Sequence, residues 1–121
     1  MATYELAGVE LESPLVNAAG SVNGTNVETI LREVEMLADT GVGAITGGSF
    51  TPSAQEGNAV KFGEPVYHHD PATAKTYNSM GLPNIGKDAA VELAPQVISH
   101  ANGKPVIYSG SPTNAQSMVV Q

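Results

Sequence analysis

The chain has 121 residues, 41% of them hydrophobic and 14% charged, with twelve acidic against five basic side chains for a net charge of −7. That length suits one ordinary domain, and an acid excess without any Lys/Arg cluster argues against a nucleic-acid backbone or an anionic membrane surface as a partner. The absence of cysteine removes a disulfide scaffold and a thiolate zinc site. The start Met-Ala-Thr-Tyr-Glu has neither the basic region nor the apolar run of a secretory leader, so the default expectation is a cytoplasmic protein.

In chain order, Tyr4 to Pro14 carries two short alternating runs around Ala7-Gly8, which predicts a small hairpin over about residues 1–13. Leu15-Val-Asn-Ala-Ala-Gly20 is a short apolar run closing in small residues, as expected of a buried strand whose end something must approach closely. Thr25-Asn-Val-Glu28 has the spacing of a capping box. Behind it Val27, Ile30, Leu31, Val34, Leu37 and Ala38 recur at helical intervals up to Thr40-Gly41. Val42–Thr46 predicts a second buried strand. Gly47 to Gly86 is rich in Gly, Pro, Ser and Asn and shows no clear period, so a long loop is expected there. A second helix is predicted from Lys87 to Ala101, with Pro95 kinking it and Asn102-Gly103 as its end, and a third strand over Pro105–Ser109.

Strand, helix, strand, long loop, helix, strand implies parallel strands joined by helical crossovers. In a (β/α)8 barrel or a doubly wound sheet, loops leaving the C-terminal ends of the strands carry the ligands, and a loop of about forty residues in a compact domain is usually functional. Within it Gly81-x-x-x-x-Gly86-Lys87-Asp88 falls one residue short of a phosphate-binding loop. Asp88 in place of Ser or Thr would oppose the phosphates, and Pro83 removes an amide donor, so a first-turn acid on a helix is the better account. His68-His69-Asp70 could ligate a metal, but neighbouring residues of an extended segment point apart and no further ligand has a suitable spacing. His100 suits the end of a helix. Ser109 and Ser111 have no nearby His and carboxylate to activate them.

Asn78-Ser-Met-Gly-Leu-Pro-Asn84 resembles the substrate-loop signature of the class 1 dihydroorotate dehydrogenases. Four further pieces follow in that family's order. Pro14-Leu-Val-Asn-Ala-Ala-Gly20 resembles its first barrel strand, Gly41-Val-Gly-Ala-Ile-Thr46 its second, Glu56-Gly-Asn58 its loop motif and Lys104-Pro-Val-Ile-Tyr-Ser109 its third. The resemblance covers essentially the whole chain.

It implies the N-terminal portion of a (β/α)8 TIM barrel, with residues 1–13 as a hairpin closing its bottom and 14–121 as the first βα units. It also implies FMN-dependent oxidation of dihydroorotate to orotate in pyrimidine biosynthesis, by proton removal at C5 and hydride transfer from C6 to the flavin. By that resemblance Asn78, Met80, Gly81 and Leu82 would hold the substrate. Ala18, Ala19, Gly20 and Ser49 would line the FMN, for which small residues suit a flat ring against backbone. No residue is assigned as the catalytic base and none as a metal ligand.

Two departures qualify the expectation. Relatives carry a flavin-contacting lysine at the position of Gly48, a cation that would stabilise reduced flavin; Lys61 or Lys75 is the nearest substitute in sequence. The chain also holds about three of eight βα units, without the base loop or the late phosphate site. It is therefore expected to be a fragment, a shortened product, or a piece that associates with itself or with the rest of a barrel across an open sheet edge. The alternatives to an enzyme part are a flavin- or anion-binding module without catalysis and a self-associating assembly piece.

Overall fold

The structure is a computed structural model and describes residues 3–22 and 24–112. The chain opens with the expected hairpin, β1 (Tyr4–Leu6) against β2 (Val9–Leu11), in antiparallel register from Tyr4 opposite Leu11 to Leu6 opposite Val9. Of its residues only Leu11 is buried.

The strand expected over Leu15–Gly20 is reduced to a single parallel bridge, Val16 to Ala44, followed by one 3-10 turn at Ala19–Ser21. The reason is Asn17. Its Oδ1 accepts from the Thr46 amide at 2.8 Å and its Nδ2 donates to the Thr46 carbonyl at 3.0 Å. A side chain thus satisfies the two backbone groups that a continuing strand would have paired, and the small residues beyond it turn away.

Helix α1 (Val27–Ala38) starts one residue later than the capping-box spacing suggests. Asn26 is the N-cap, its Oδ1 accepting from Thr29 N at 2.9 Å, and Glu28 sits in the first turn, where the helix dipole favours an acid. Ile30, Val34 and Ala38 form its buried stripe. Strand β3 (Ile45–Phe50) also begins later than Val42–Thr46 and runs on through the glycines. It pairs in parallel with β6 (Val106–Gly110): Ile45 lies opposite Val106 and Thr46 opposite Ile107, then Ser49 opposite Ser109 and Phe50 opposite Gly110. Gly47 and Gly48 together face Tyr108, which makes a β-bulge.

The segment expected to be one long loop is partly ordered. It contains a short helix α2 (Asn58–Phe62) and a hairpin, β4 (Tyr67–Asp70) with β5 (Lys75–Asn78). Helix α3 (Lys87–His100) follows with Pro95 inside it, and the chain leaves it through left-handed Asn102 and Gly103. The expected third strand appears one residue later, as β6.

The two long helices pack against each other over β3. Ile30, Val34 and Ala38 meet Leu93, Val97 and Ala101 on Ile45, with Val22 closing one end. The result is an α/β fold on a parallel pair, with the Asn17 segment alongside β3 and both crossover helices sharing one core. Among the described residues β6 has no partner other than β3, and no helix is long and apolar enough to cross a membrane.

This core sets a stability prediction. Ile30, 2% exposed among seven other core side chains, should cost about 2–5 kcal/mol on replacement by Ala, whereas Met36→Ala on the 66%-exposed face of α1 should stay within about 0.5 kcal/mol. Urea denaturation of the two variants against the parent chain measures the difference.

Candidate functional site

The C-terminal end of β3, the 3-10 turn after Asn17 and the chain after β5 enclose a cleft of about 350 Å³, lined by Ala19, Gly20, Val22, Ser49, Asn78 and the run Met80–Pro83. Of the eight residues singled out from sequence, seven meet here. Ala18 does not line the cleft; its carbonyl accepts from Ser21 N at 3.1 Å and Ser21 Oγ at 2.7 Å, so it shapes the turn from behind.

The wall from Asn78 to Pro83 is held by two asparagines that the sequence placed in motifs without a role. Asn84 is 3% exposed. Its Oδ1 accepts from Thr51 N at 3.1 Å and Gly86 N at 2.8 Å, while Nδ2 donates to the Leu82 carbonyl at 2.8 Å and the Thr51 hydroxyl at 2.9 Å. Its backbone pairs with Gln55 in both directions at 2.9 Å. Asn58, at the start of α2, donates from its amide to Met80 O at 2.8 Å and from Nδ2 to Ser79 O at 2.6 Å. Asn84 is buried, where a carboxamide must find partners for all its polar atoms, and Asn58 is half-buried.

With those carbonyls occupied, the other side of the turn is left for a ligand. The amides of Met80, Gly81 and Leu82, the Asn78 carboxamide and the Ser49 hydroxyl donate to no acceptor among the described residues. Gly81 has φ +78°, and a Cβ there would lie 2.7 Å from Asn58 Oδ1, so only glycine lets the turn close on Asn58. The cleft is therefore a narrow slot with small walls and a row of neutral donors, suited to a flat molecule edged with carbonyl or carboxylate oxygens.

The family model described as dihydroorotate dehydrogenase matches residues 1–117. The chain belongs to the dihydroorotate dehydrogenase family. It is 36% identical over 86 residues to a probable dihydroorotate dehydrogenase A (fumarate) of Enterococcus faecalis, covering 71% of this chain and 24% of that protein. It is 30% identical over 114 residues to the dihydroorotate dehydrogenase (fumarate) of Trypanosoma brucei brucei, covering 94% of this chain and 33% of that one. The chain thus spans between a quarter and a third of the length of these relatives.

Within the dihydroorotate dehydrogenase family frame, Gly48 is explained by the bulge. Its φ is +118°, and a Cβ would lie 2.8 Å from the Val22 carbonyl, so a side chain at 48 is strained and blocked in this backbone. Neither Lys61 nor Lys75 lines the cleft in its place. The near-miss phosphate loop is ruled out by its own hydrogen bonds: the Asn84, Gly86 and Lys87 amides go to Gln55 O, Asn84 Oδ1 and Thr51 O.

The remaining sequence candidates have local jobs. His69 Nδ1 meets the Thr76 hydroxyl across the β4–β5 hairpin at 2.9 Å, and the His68 ring stacks near Tyr77. His100 Nδ1 bonds the Gln96 carbonyl at 2.8 Å. No metal-holding group of acids and histidines occurs among the described residues. Asp70 closes the hairpin, accepting from the Thr73 hydroxyl at 2.7 Å and Ala72 N at 3.0 Å. Those bonds, the hydroxyl's first, hold its carboxyl below the ordinary value of 3.8.

Two predictions result. Asn84→Ala leaves the buried Thr51 and Gly86 amides without an acceptor and should destabilise the chain by about 1–3 kcal/mol per group, with amide exchange accelerating first across residues 78–86, as followed by NMR. For Asp70 the folded pKa is depressed, so its contribution to the hairpin is present above the ordinary carboxylate pKa of 3.8 and is lost as pH falls through the lower folded value. Hairpin exchange rates, corrected for intrinsic chemistry, should stay flat down to that range and rise below it, and Asp70→Asn should abolish the rise.

Proposed function

We propose that this chain is the N-terminal part of a flavin-dependent (β/α)8 oxidoreductase and that its cleft holds dihydroorotate or orotate against the ring of FMN. The observation that carries the reading is the convergence of Asn78, Met80, Gly81 and Leu82 with Ala19, Gly20 and Ser49 on one slot. The residues present fit the ring. Ala19 and Gly20 offer flat, side-chain-poor backbone, Ser49 a hydroxyl at the bulge, and the volume lies within the range of small-molecule sites. No basic side chain lines the cleft for the FMN phosphate, so that group would be held by parts of a longer protein.

When bound, FMN supplies hydride acceptance. The chain's own residues orient the substrate. The donor row at residues 80–82 and the Asn78 carboxamide bind the oxygens of a planar anion, and Gly81 admits it close to the backbone. Met80, Leu82 and Pro83 add apolar surface along that edge. No described residue of the cleft is a base, so proton removal at the substrate carbon is assigned to the part of the barrel beyond this chain. The unpaired edge of β6 would be covered by those further strands or by another copy, and a cytoplasmic setting is consistent with the chemistry.

Gly48 favours a second reading, a family member that binds the flat ligands without turnover. The two separate on adding dihydroorotate, in the absence of oxygen, to the flavin-loaded chain supplied with the remaining strands of a relative's barrel and hence with a base: bleaching of the flavin absorbance shows hydride transfer, and an unchanged spectrum with tighter flavin binding shows the binding module.

The test of the site itself is fluorescence titration of the chain with FMN, then with orotate. FMN should bind saturably, and Asn78→Ala should weaken orotate about tenfold, the worth of roughly one hydrogen bond to a charged group. Gly81→Ala should weaken it more. Orotate binding that is indifferent to both substitutions would sink the assignment.

A further inference from the structure

All five basic side chains of the sequence lie among the described residues, and none lines the cleft. Arg32 is on α1, Lys61 on α2 and Lys75 at the start of β5. Lys87 lines a separate small cavity beside Phe50 and Tyr108. Lys104 Nζ donates to the Thr40 carbonyl, before β3 begins and so at the opposite end of the sheet. The bulge makes this neutrality a property of the backbone, because at Gly48 a φ of +118° and the Val22 carbonyl 2.8 Å from a would-be Cβ bar any side chain from that point of the wall. The cleft's remaining polar groups, the Ser49 hydroxyl, the Asn78 carboxamide and the amides of residues 80–82, are all uncharged.

We infer that this cleft discriminates between the oxidation states of a flavin ring, holding the neutral oxidised ring more tightly than the reduced one. The inference rests on the flavin reading above and adds which state the site selects. Two electrons and one proton convert the neutral oxidised ring into a monoanion with its charge over the N1 and C2 carbonyl end, and a second proton is needed to neutralise it. A cation beside that end stabilises the anion, and a site built only of neutral donors supplies no counter-charge, within a protein whose own charge is −7. The phosphate is common to both states, so its contribution cancels when the two affinities are compared. The Gly47-Gly48 bulge is the specificity-determining element, acting by excluding a charged side chain and by turning Ser49 into the slot in its place.

The test compares the affinity of the whole chain for oxidised FMN and for FMN reduced with dithionite under argon, both read by calorimetry at neutral pH. The expected result is at least tenfold weaker binding of the reduced form, equivalent to a two-electron potential about 30 mV below that of free FMN for each factor of ten. Ser49→Lys, which places a cation at the neighbouring position where a side chain is accepted, should narrow or reverse the ratio of the two affinities. If that variant does not fold, Asn78→Lys on the opposite wall makes the same comparison. Equal or tighter binding of reduced FMN by the parent chain, or a ratio that a cleft lysine leaves unaltered, overturns this inference alone. Absence of saturable binding by oxidised FMN overturns the flavin reading and this inference with it.

Discussion

The buried carboxamide of Asn84 is the interaction on which the site depends. With four hydrogen bonds it ties the chain after β5 to Thr51 at the end of β3 and to Gly86 at the start of α3. A loop leaving a strand end has no ladder to define it, so its backbone groups must be satisfied by side chains. One saturated asparagine does this for the turn at Leu82, for the strand end and for the helix N-terminus together. The amides of Met80, Gly81 and Leu82 donate to no acceptor among the described residues, and all three residues line the cleft. Preorganised donors of this kind bind without the cost of ordering a loop, so loop rigidity and ligand affinity are coupled in one network.

Asn17 does for the opposite wall what Asn84 does for this one. By bonding both backbone groups of Thr46 it ends the first parallel segment after a single bridge and releases Ala18 to Ser21 into a turn that brings Ala19 and Gly20 to the cleft. The same strand then bulges at Gly47-Gly48 against Tyr108, whose ring packs edge-on to Phe50 and whose hydroxyl reaches the Ala90 carbonyl of α3. The bulge is therefore backed by an aromatic pair and a helix. A lysine at position 48 would need more than a substitution, because the backbone itself would have to leave the left-handed region and move off Val22.

Much of this was legible in the sequence where a pattern was long or a motif specific. The stripe of Ile30, Val34 and Ala38 announced α1, and Asn78 to Asn84 announced the site loop. The rest was hidden for identifiable reasons. The hairpin of Tyr67–Asp70 and Lys75–Asn78 is almost wholly exposed on both faces, so no alternation marks it. The Leu15–Gly20 run reads as a strand by hydrophobicity, and only Asn17, a polar residue in an apolar run, hinted that a side chain would replace the ladder. The start of α1 was misplaced by one residue because Thr25 and Asn26 are both good caps and only geometry decides between them. The β3 bulge was invisible because Gly-Gly is as compatible with a loop as with a bulged strand.

The cleft is uncharged along its whole lining. The strand end and loops that line the cleft contribute shape and uncharged polar groups, and no acidic or basic side chain is among the residues lining it. What the described residues hold in place is a cleft wall: the turn at Ala19 and Gly20, Ser49 at the bulge, and the run from Met80 to Pro83. Those depend on backbone conformation at Gly48, Gly81 and Asn84 far more than on side-chain charge. A charged residue elsewhere can be supplied by another segment or another chain, but the slot cannot, since its walls are set by hydrogen bonds internal to residues 17–86. Residues 17–86 are therefore the part of the chain that fixes the shape of the cleft and the residues that line it.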